Sequence, residues 1–141
     1  MKITIVLILA ALTATTTSQA SDRCMWLDAL KKYGLDDKTV ASLMCVAHHI
    51  SNFNKFLVKD NFHGVFQVSA HAWCQCAKFK SQNLCHMECS ALRDQNLNDD
   101  IKCALTVVQT QGYTAWYVWK ENCANKDLRE YLTCPGECKP N

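Results

Sequence analysis

The 141-residue sequence predicts a small α+β domain cross-linked by disulfides. Three observations carry that prediction. Apolar stripes at helical spacing occur both early and late in the chain, one β-branched and aromatic segment lies between them, and ten cysteines are spread through the remainder. Apolar residues at 49% and charged residues at 20% are enough to bury a core and argue against disorder. The length suits one domain and leaves no room for two separate cores.

Residues 1–20 read as a secretory signal peptide: Lys2, an apolar run from Ile3 to Leu12, then polar residues and the small-residue ending Ser18-Gln19-Ala20. The run is too short to span a bilayer. Cleavage is expected after Ala20, leaving a secreted, extracellular domain over residues 21–141 with no membrane segment. Fifteen Lys and Arg against thirteen Asp and Glu give a net charge of +2 without any block of like charge, which removes support for a nucleic-acid partner. For an exported chain, an even cysteine count means a bridged framework before it means metal or catalysis, although the count leaves the pairing open.

Cys24 to Tyr33 is predicted as the first helix, because Trp26, Leu27, Leu30 and Tyr33 share a face and Gly34 supplies a C-terminal stop. Asp36 or Asp37 caps a second helix, whose stripe of Val40, Leu43, Met44 and Ala47 runs to about Ile50. Residues 61–69 are apolar without helical spacing and predict a strand bent at Gly64. Asn98 is expected to cap a third helix, with Asp99 and Asp100 in its first turn and Ile101, Ala104, Leu105 and Val108 along one face. Two shorter helices are expected around Ala115–Lys120 and Lys126–Tyr131.

Several short segments form a specific set: Cys45-Val-Ala followed by Ser51-Asn-Phe-Asn54, Gly64-Val-Phe-Gln-Val68, Ala72-Trp-Cys74, Asn83-Leu-Cys85, Cys89-Ser-Ala-Leu92, and Ala115-Trp-Tyr-Val-Trp119 leading to Cys123. On these residues the sequence resembles the C-type lysozyme and α-lactalbumin family of glycoside hydrolases, over nearly all of residues 21–141. The spacing from Gly34 to Cys45 is closer to the arthropod branch of that family than to the vertebrate one. The resemblance implies a mainly helical lobe beside a small, shortened β lobe. It also implies the pairs Cys24–Cys134, Cys45–Cys123, Cys74–Cys89 and Cys85–Cys103. Cys76 and Cys138 are left over, as candidates for a bridge from the β lobe to the C-terminal tail.

The family's known mechanism needs two carboxyl groups flanking a glycosidic bond, one protonated and one ionised. The acid's position, just before Ser51-Asn-Phe-Asn54, holds Ile50, and the nucleophile's position, two residues before Gly64, holds Phe62. Neither side chain transfers a proton or bears a negative charge. The segment between them is also several residues shorter than in typical family enzymes, and Asp60 lies two residues upstream of Phe62. A shifted alignment would bring Asp60 nearer the cleft.

Part of a saccharide groove persists in the resemblance. Trp73 and Trp116 fall where the family sets indoles against sugar, while Gln67, Ser69 and the Ala115 backbone offer polar contacts. Ala72 stands where the family has another cleft aromatic. Trp119, at helical spacing from Trp116, reads as a core residue. The segment 91–100 resembles the calcium loop of α-lactalbumin and of the calcium-binding lysozymes, with side chains from Asp94, Asp99 and Asp100 and carbonyls from Ala91 and Asn96 as the implied ligands. The acidic pair also suits a helix N-terminus without any ion.

Histidines occur at His48 and His49 near the old acid position and at His63 and His71 on the opposite cleft wall. Neighbours on a helix point about 100° apart, so His48 and His49 are not expected to face one ion easily, and surface or cleft-lining histidines are predicted in place of a zinc site. The leading expectation is a secreted, monomeric, catalytically silent lysozyme-like protein. Its ligand would be a saccharide, such as a peptidoglycan fragment or an N-acetylglucosamine oligomer, or else a protein. The alternatives are a muramidase with relocated carboxylates and a calcium-stabilised modulator of a partner enzyme, of the α-lactalbumin kind.

Overall fold

The computed structural model describes residues 19–136 and begins with helix α1, residues 19–32. Trp26, Leu27 and Leu30 are the buried face of α1, as the stripe predicts, whereas Tyr33, expected on the same face, lies in the turn past the helix end and is exposed, and Gly34 follows with φ 91°. Helix α2, Asp37–Ser51, is capped by Asp36, whose carboxylate accepts from the Thr39 backbone N–H at 3.0 Å. All its residues from Val40 to Ala47 are buried, so α2 forms the centre of the helical lobe. Helix α3, Leu97–Gln111, lays Ile101, Ala104 and Val107 against the same core.

Its cap is Asn96, whose side chain accepts from the Asn98 backbone N–H at 3.2 Å. The expected cap, Asn98, therefore lies inside the first turn. Helix α4 spans Val118–Asn122, and 3-10 turns occupy Cys89–Arg93, Tyr113–Ala115 and Arg129–Leu132. The two late helices of the sequence reading are thus one short helix and two tighter turns. These segments are too short to sustain longer ladders, and their ends are set by packing on α2 and α3.

The β lobe is an antiparallel sheet of three two-residue strands: β1 Val58–Lys59, β2 Phe62–His63 and β3 Val68–Ser69. Lys59 pairs with Phe62, and Phe62 with Ser69. The single bent strand predicted over residues 61–69 is therefore two strands separated by a turn. Gly64 and Gln67 both have positive φ there, at 75° and 45°, which no continuous strand accommodates. A Cβ on Gly64 would lie 2.4 Å from the Leu92 carbonyl oxygen, so only glycine lets the hairpin close on the 3-10 turn behind it.

Cys24–Cys134, Cys45–Cys123, Cys74–Cys89 and Cys85–Cys103 are bonded as the resemblance implies. Cys76 has no disulfide partner among the described residues, and Cys138 lies outside them. Most of the expected signal peptide, residues 1–18, also lies outside them. The described helices include none long and apolar enough to cross a membrane.

Gly64→Ala is expected to lower stability by roughly 2–4 kcal/mol, from the left-handed backbone penalty plus overpacking against Leu92. A denaturant melt that moved by less than 0.5 kcal/mol would show that the hairpin yields there at little cost.

Candidate functional site

The last turn of α2 and the hairpin meet through one buried hydroxyl. Ser51 Oγ donates to the Val65 carbonyl at 2.6 Å and also lies 3.1 Å from the Ala47 carbonyl, while Asn52 and Phe53 take positive φ to turn the chain away. This joint holds Ile50, half-buried on the last turn, across a cleft from Phe62 on β2. A cavity of about 320 Å³ lies between them, lined also by Asp60, Gln67, Trp116 and Tyr117.

A second cavity of about 230 Å³ shares Phe62, Gln67, Ala115 and Trp116 with the first, and adds Ser69, Trp73 and Gln111. The five residues predicted to bind saccharide, Gln67, Ser69, Trp73, Ala115 and Trp116, therefore come together along one groove. Lys59, Gln111 and Tyr117 are lining residues that the sequence reading missed. Tyr117 was legible only as the neighbour of Trp116, and Lys59 and Gln111 reach the groove through strand pairing and the end of α3.

The groove's walls are fixed from behind. Trp116 Nε1 donates to the Phe66 carbonyl at 2.7 Å, and both indoles, Trp73 and Trp116, are 5% exposed. Trp73 thus belongs to the core and to the groove wall at once. Trp119 is half-buried against the core and stacks on Tyr113 at 4.4 Å. Gln67 is pinned by two bonds from its amide nitrogen, to the carbonyls of Leu57 and Gly64, each 2.8 Å. Among the described residues that line the two cavities, Asp60 is the one carboxylate.

The model of the C-type lysozyme/alpha-lactalbumin family matches residues 19–134. The chain belongs to the C-type lysozyme/alpha-lactalbumin family. Lysozyme C-3 of Sus scrofa is 37% identical over 143 residues, covering 94% of this chain and 97% of that protein. Sperm acrosome-associated protein 5 of Bos taurus is 36% identical over 148 residues, covering 98% and 94%. A crystal structure of canine milk lysozyme stabilised against non-enzymatic deamidation superposes with a TM-score of 0.70 at 35% identity, covering 78% of this chain and 93% of that one. The α+β, lysozyme-like architecture follows from both the helices with their small sheet and this neighbour.

Outside the groove, this lysozyme-family chain gathers three acidic residues around the start of α3. Asp100 is buried, and desolvation, with the nearby charges of Asp94 and Asp99 adding to it, pushes its carboxyl up to about 8. Asp94 Oδ1 accepts from the Asn96 backbone N–H at 2.8 Å, and Asp99 Oδ2 accepts from the Asn96 side chain at 3.1 Å. With the loop so arranged, no group of three or more His, Cys, Asp or Glu side chains converges on a point among the described residues. The donor chemistry nevertheless fits a hard cation, since among the described residues the buried carboxyl beside two others has no ion-pair partner, Lys55 acting on it only from a distance.

The histidines of α2 share a partner that is not an ion. His48 Nδ1 lies 2.6 Å from the buried Tyr131 hydroxyl and His49 Nε2 lies 3.4 Å from it, so the adjacent pair does face one group. Their rings are 4.6 Å apart, which the tilt of both side chains toward the C-terminal 3-10 turn makes possible. Burial, then the neighbouring His49 and Arg23, hold the His48 imidazole below its ordinary value. His71 stacks on Phe79 at 4.1 Å, and His63 buries its Nδ1. Neither half of the groove has a histidine in its lining, because the strand alternation that turns Phe62 into the cleft turns His63 away.

Asp100 sets a pH dependence. Its folded carboxyl holds a proton at pH values where the unfolded chain, near 3.8, has released it. The resulting destabilisation is absent below about pH 4, grows as pH rises, and is complete above about 8. In chelator-treated protein, Asp100→Asn is expected to flatten the fall in melting temperature between pH 5 and pH 8. An unchanged slope in the variant would assign the dependence to another group.

Proposed function

We propose that this protein is a secreted, catalytically silent member of its family that binds saccharide in the residual groove. The observation that carries the reading is that Ile50 and Phe62 line one cavity from opposite walls, at the two positions where the resemblance requires carboxylates. General acid–base chemistry alone contributes on the order of 10² to 10⁴ in rate, and apolar side chains supply none of it. Trp73 and Trp116 offer flat apolar faces, and Ser69, Gln111 and the Ala115 backbone offer polar ones, the mixture that oligosaccharides of the N-acetylglucosamine or peptidoglycan type require. The disulfides and the signal-like residues 1–20 support secretion.

One observation favours a second reading, an active muramidase: Asp60 lines the same cavity as Ile50 and Phe62. It would need a second carboxyl to complete the pair. Clearing of bacterial cell walls over a range of pH values separates the two readings. The silent reading expects a rate at least about a thousandfold below that of an active family enzyme. Ordinary turnover that is abolished in Asp60→Asn would establish the second reading instead.

The groove has its own assay. Trp73→Phe and Trp116→Phe are each expected to weaken chitooligosaccharide binding several-fold while the fold persists. Binding left unchanged by both would place the sugar elsewhere.

Calcium is proposed as a structural ion, held by the carboxylates of Asp94, Asp99 and Asp100 and the carbonyls of Ala91 and Asn96. The support is the buried Asp100 carboxyl, whose proton an ion would replace. At a concentration 100 times its dissociation constant, calcium stabilises by about 2.7 kcal/mol. A melting midpoint that does not respond to calcium or chelator would reject the site.

A further inference from the structure

The C-terminal 3-10 turn, Arg129–Leu132, packs on α2 around one phenol. Tyr131 is 3% exposed, and its hydroxyl meets His48 Nδ1 at 2.6 Å and His49 Nε2 at 3.4 Å. His48 is half-buried and also stacks on Phe53, with ring centroids 5.7 Å apart. From α1, the Arg23 guanidinium lies 5.2 Å from the centre of the Tyr131 ring and donates to the carbonyls of Glu130 and Thr133. Lys31 Nζ donates to the Leu132 carbonyl at 3.0 Å.

A neutral imidazole can take the Tyr131 proton at Nδ1, but an imidazolium carries N–H donors on both ring nitrogens and cannot. Tyr131 would then keep a buried O–H whose other ring partner, His49 Nε2, is 3.4 Å away. The new charge also arrives beside Arg23 and His49, and the one carboxylate that acts on the ring, Glu130, is exposed and the weakest of the influences on it. The remaining polar holds on the turn, from Arg23 and Lys31, are cationic, so acid removes none of them and adds a like charge in their midst.

From this arrangement we infer that His48, Tyr131 and Arg23 form an acid-released latch, in which the C-terminal turn is closed on α2 while His48 is neutral and loosens when that ring takes up a proton. The Cys24–Cys134 bridge beyond the turn keeps it tethered, so the change is a local opening. Burial, then His49 and Arg23, hold the His48 imidazole below its ordinary 6.5. The latch's contribution to stability is therefore complete above about 6.5 and is lost as pH falls through the lower value of the folded ring. Asp100 acts in the opposite sense over part of this range, so a global melt does not isolate the latch and a local probe is needed.

Amide hydrogen exchange, followed by NMR on the full mature chain with its disulfides intact and corrected for the intrinsic effect of pH, tests this. The Tyr131 N–H, bonded to the Leu128 carbonyl at 3.0 Å, is expected to lose protection at least about fivefold between about pH 7.5 and about pH 5, the scale of one lost hydrogen bond, while Val107 in α3 keeps its own. His48→Asn keeps a neutral polar group near the Nδ1 position and is expected to abolish the loss. In the unaltered protein, the midpoint of the loss is expected to coincide with the titration of the His48 ring, a measurement that needs no variant to fold. Tyr131 protection that does not change with pH, or that falls equally in α3, would overturn the latch. A loss that persists in His48→Asn, or a midpoint apart from that of the His48 ring, would overturn the assignment to His48.

Discussion

The close approach of the hairpin to the helical lobe governs the rest of the molecule. Gly64 has no room for a Cβ against the Leu92 carbonyl, and Ser51 Oγ reaches the Val65 carbonyl at 2.6 Å. These contacts lie on either side of the same turn, so the hairpin is clamped between the end of α2 and the 3-10 turn at Cys89–Arg93. The groove is the gap left on the outer side of that clamp. Its two walls carry Ile50 and Phe62 because helix and strand are held at that separation, not because the two residues attract each other.

Two polar arrangements, one half-buried and one buried, sit behind this frame and differ in how they are satisfied. At the end of α2, His48 and His49 share the Tyr131 hydroxyl, with the Arg23 guanidinium 5.2 Å from the centre of the tyrosine ring. That cluster ties α1 and α2 to the C-terminal turn, near the Cys24–Cys134 bridge. At the start of α3, Asp100 is buried beside acidic neighbours and keeps its proton instead. The lowered His48 imidazole and the raised Asp100 carboxyl are both products mainly of desolvation, which disfavours the charged form of either group. The acidic site thus keeps a carboxyl among carboxylates, and the histidine site is a hydrogen-bond hub between the end of α2 and the C-terminal turn.

Much of the fold was legible because its signals are local. The α1 stripe, the Asp36 cap and the order of elements depend on residues a few positions apart, and the structure retains them. The errors fell where local signals compete. Asn96 and Asn98 are both plausible caps, and the start of α3 selects the one whose side chain faces the free N–H of residue 98. The β-branched run over residues 61–69 looked continuous, yet positive φ at Gly64 and Gln67 divides it, since the hairpin must fold back over Leu92. Helical angle sets the directions in which His48 and His49 leave α2, but the shared Tyr131 partner lies more than eighty positions later in the chain, beyond any local pattern.

The candidate site divides in the same way. Residue identity alone determined that Ile50 and Phe62 offer neither a proton nor a negative charge to the groove, because chemistry missing from a side chain cannot be supplied by folding. The cysteine framework and the aromatic residues of the groove were likewise written in the chain. Only tertiary structure decided that Ile50 and Phe62 share one cavity with Asp60, that Tyr117 and Lys59 join its lining, and that the donors of Gln67 and Trp116 are spent inside the protein. Those outcomes depend on contacts between segments far apart in sequence, whose distances are set by packing and whose pairing no local pattern encodes.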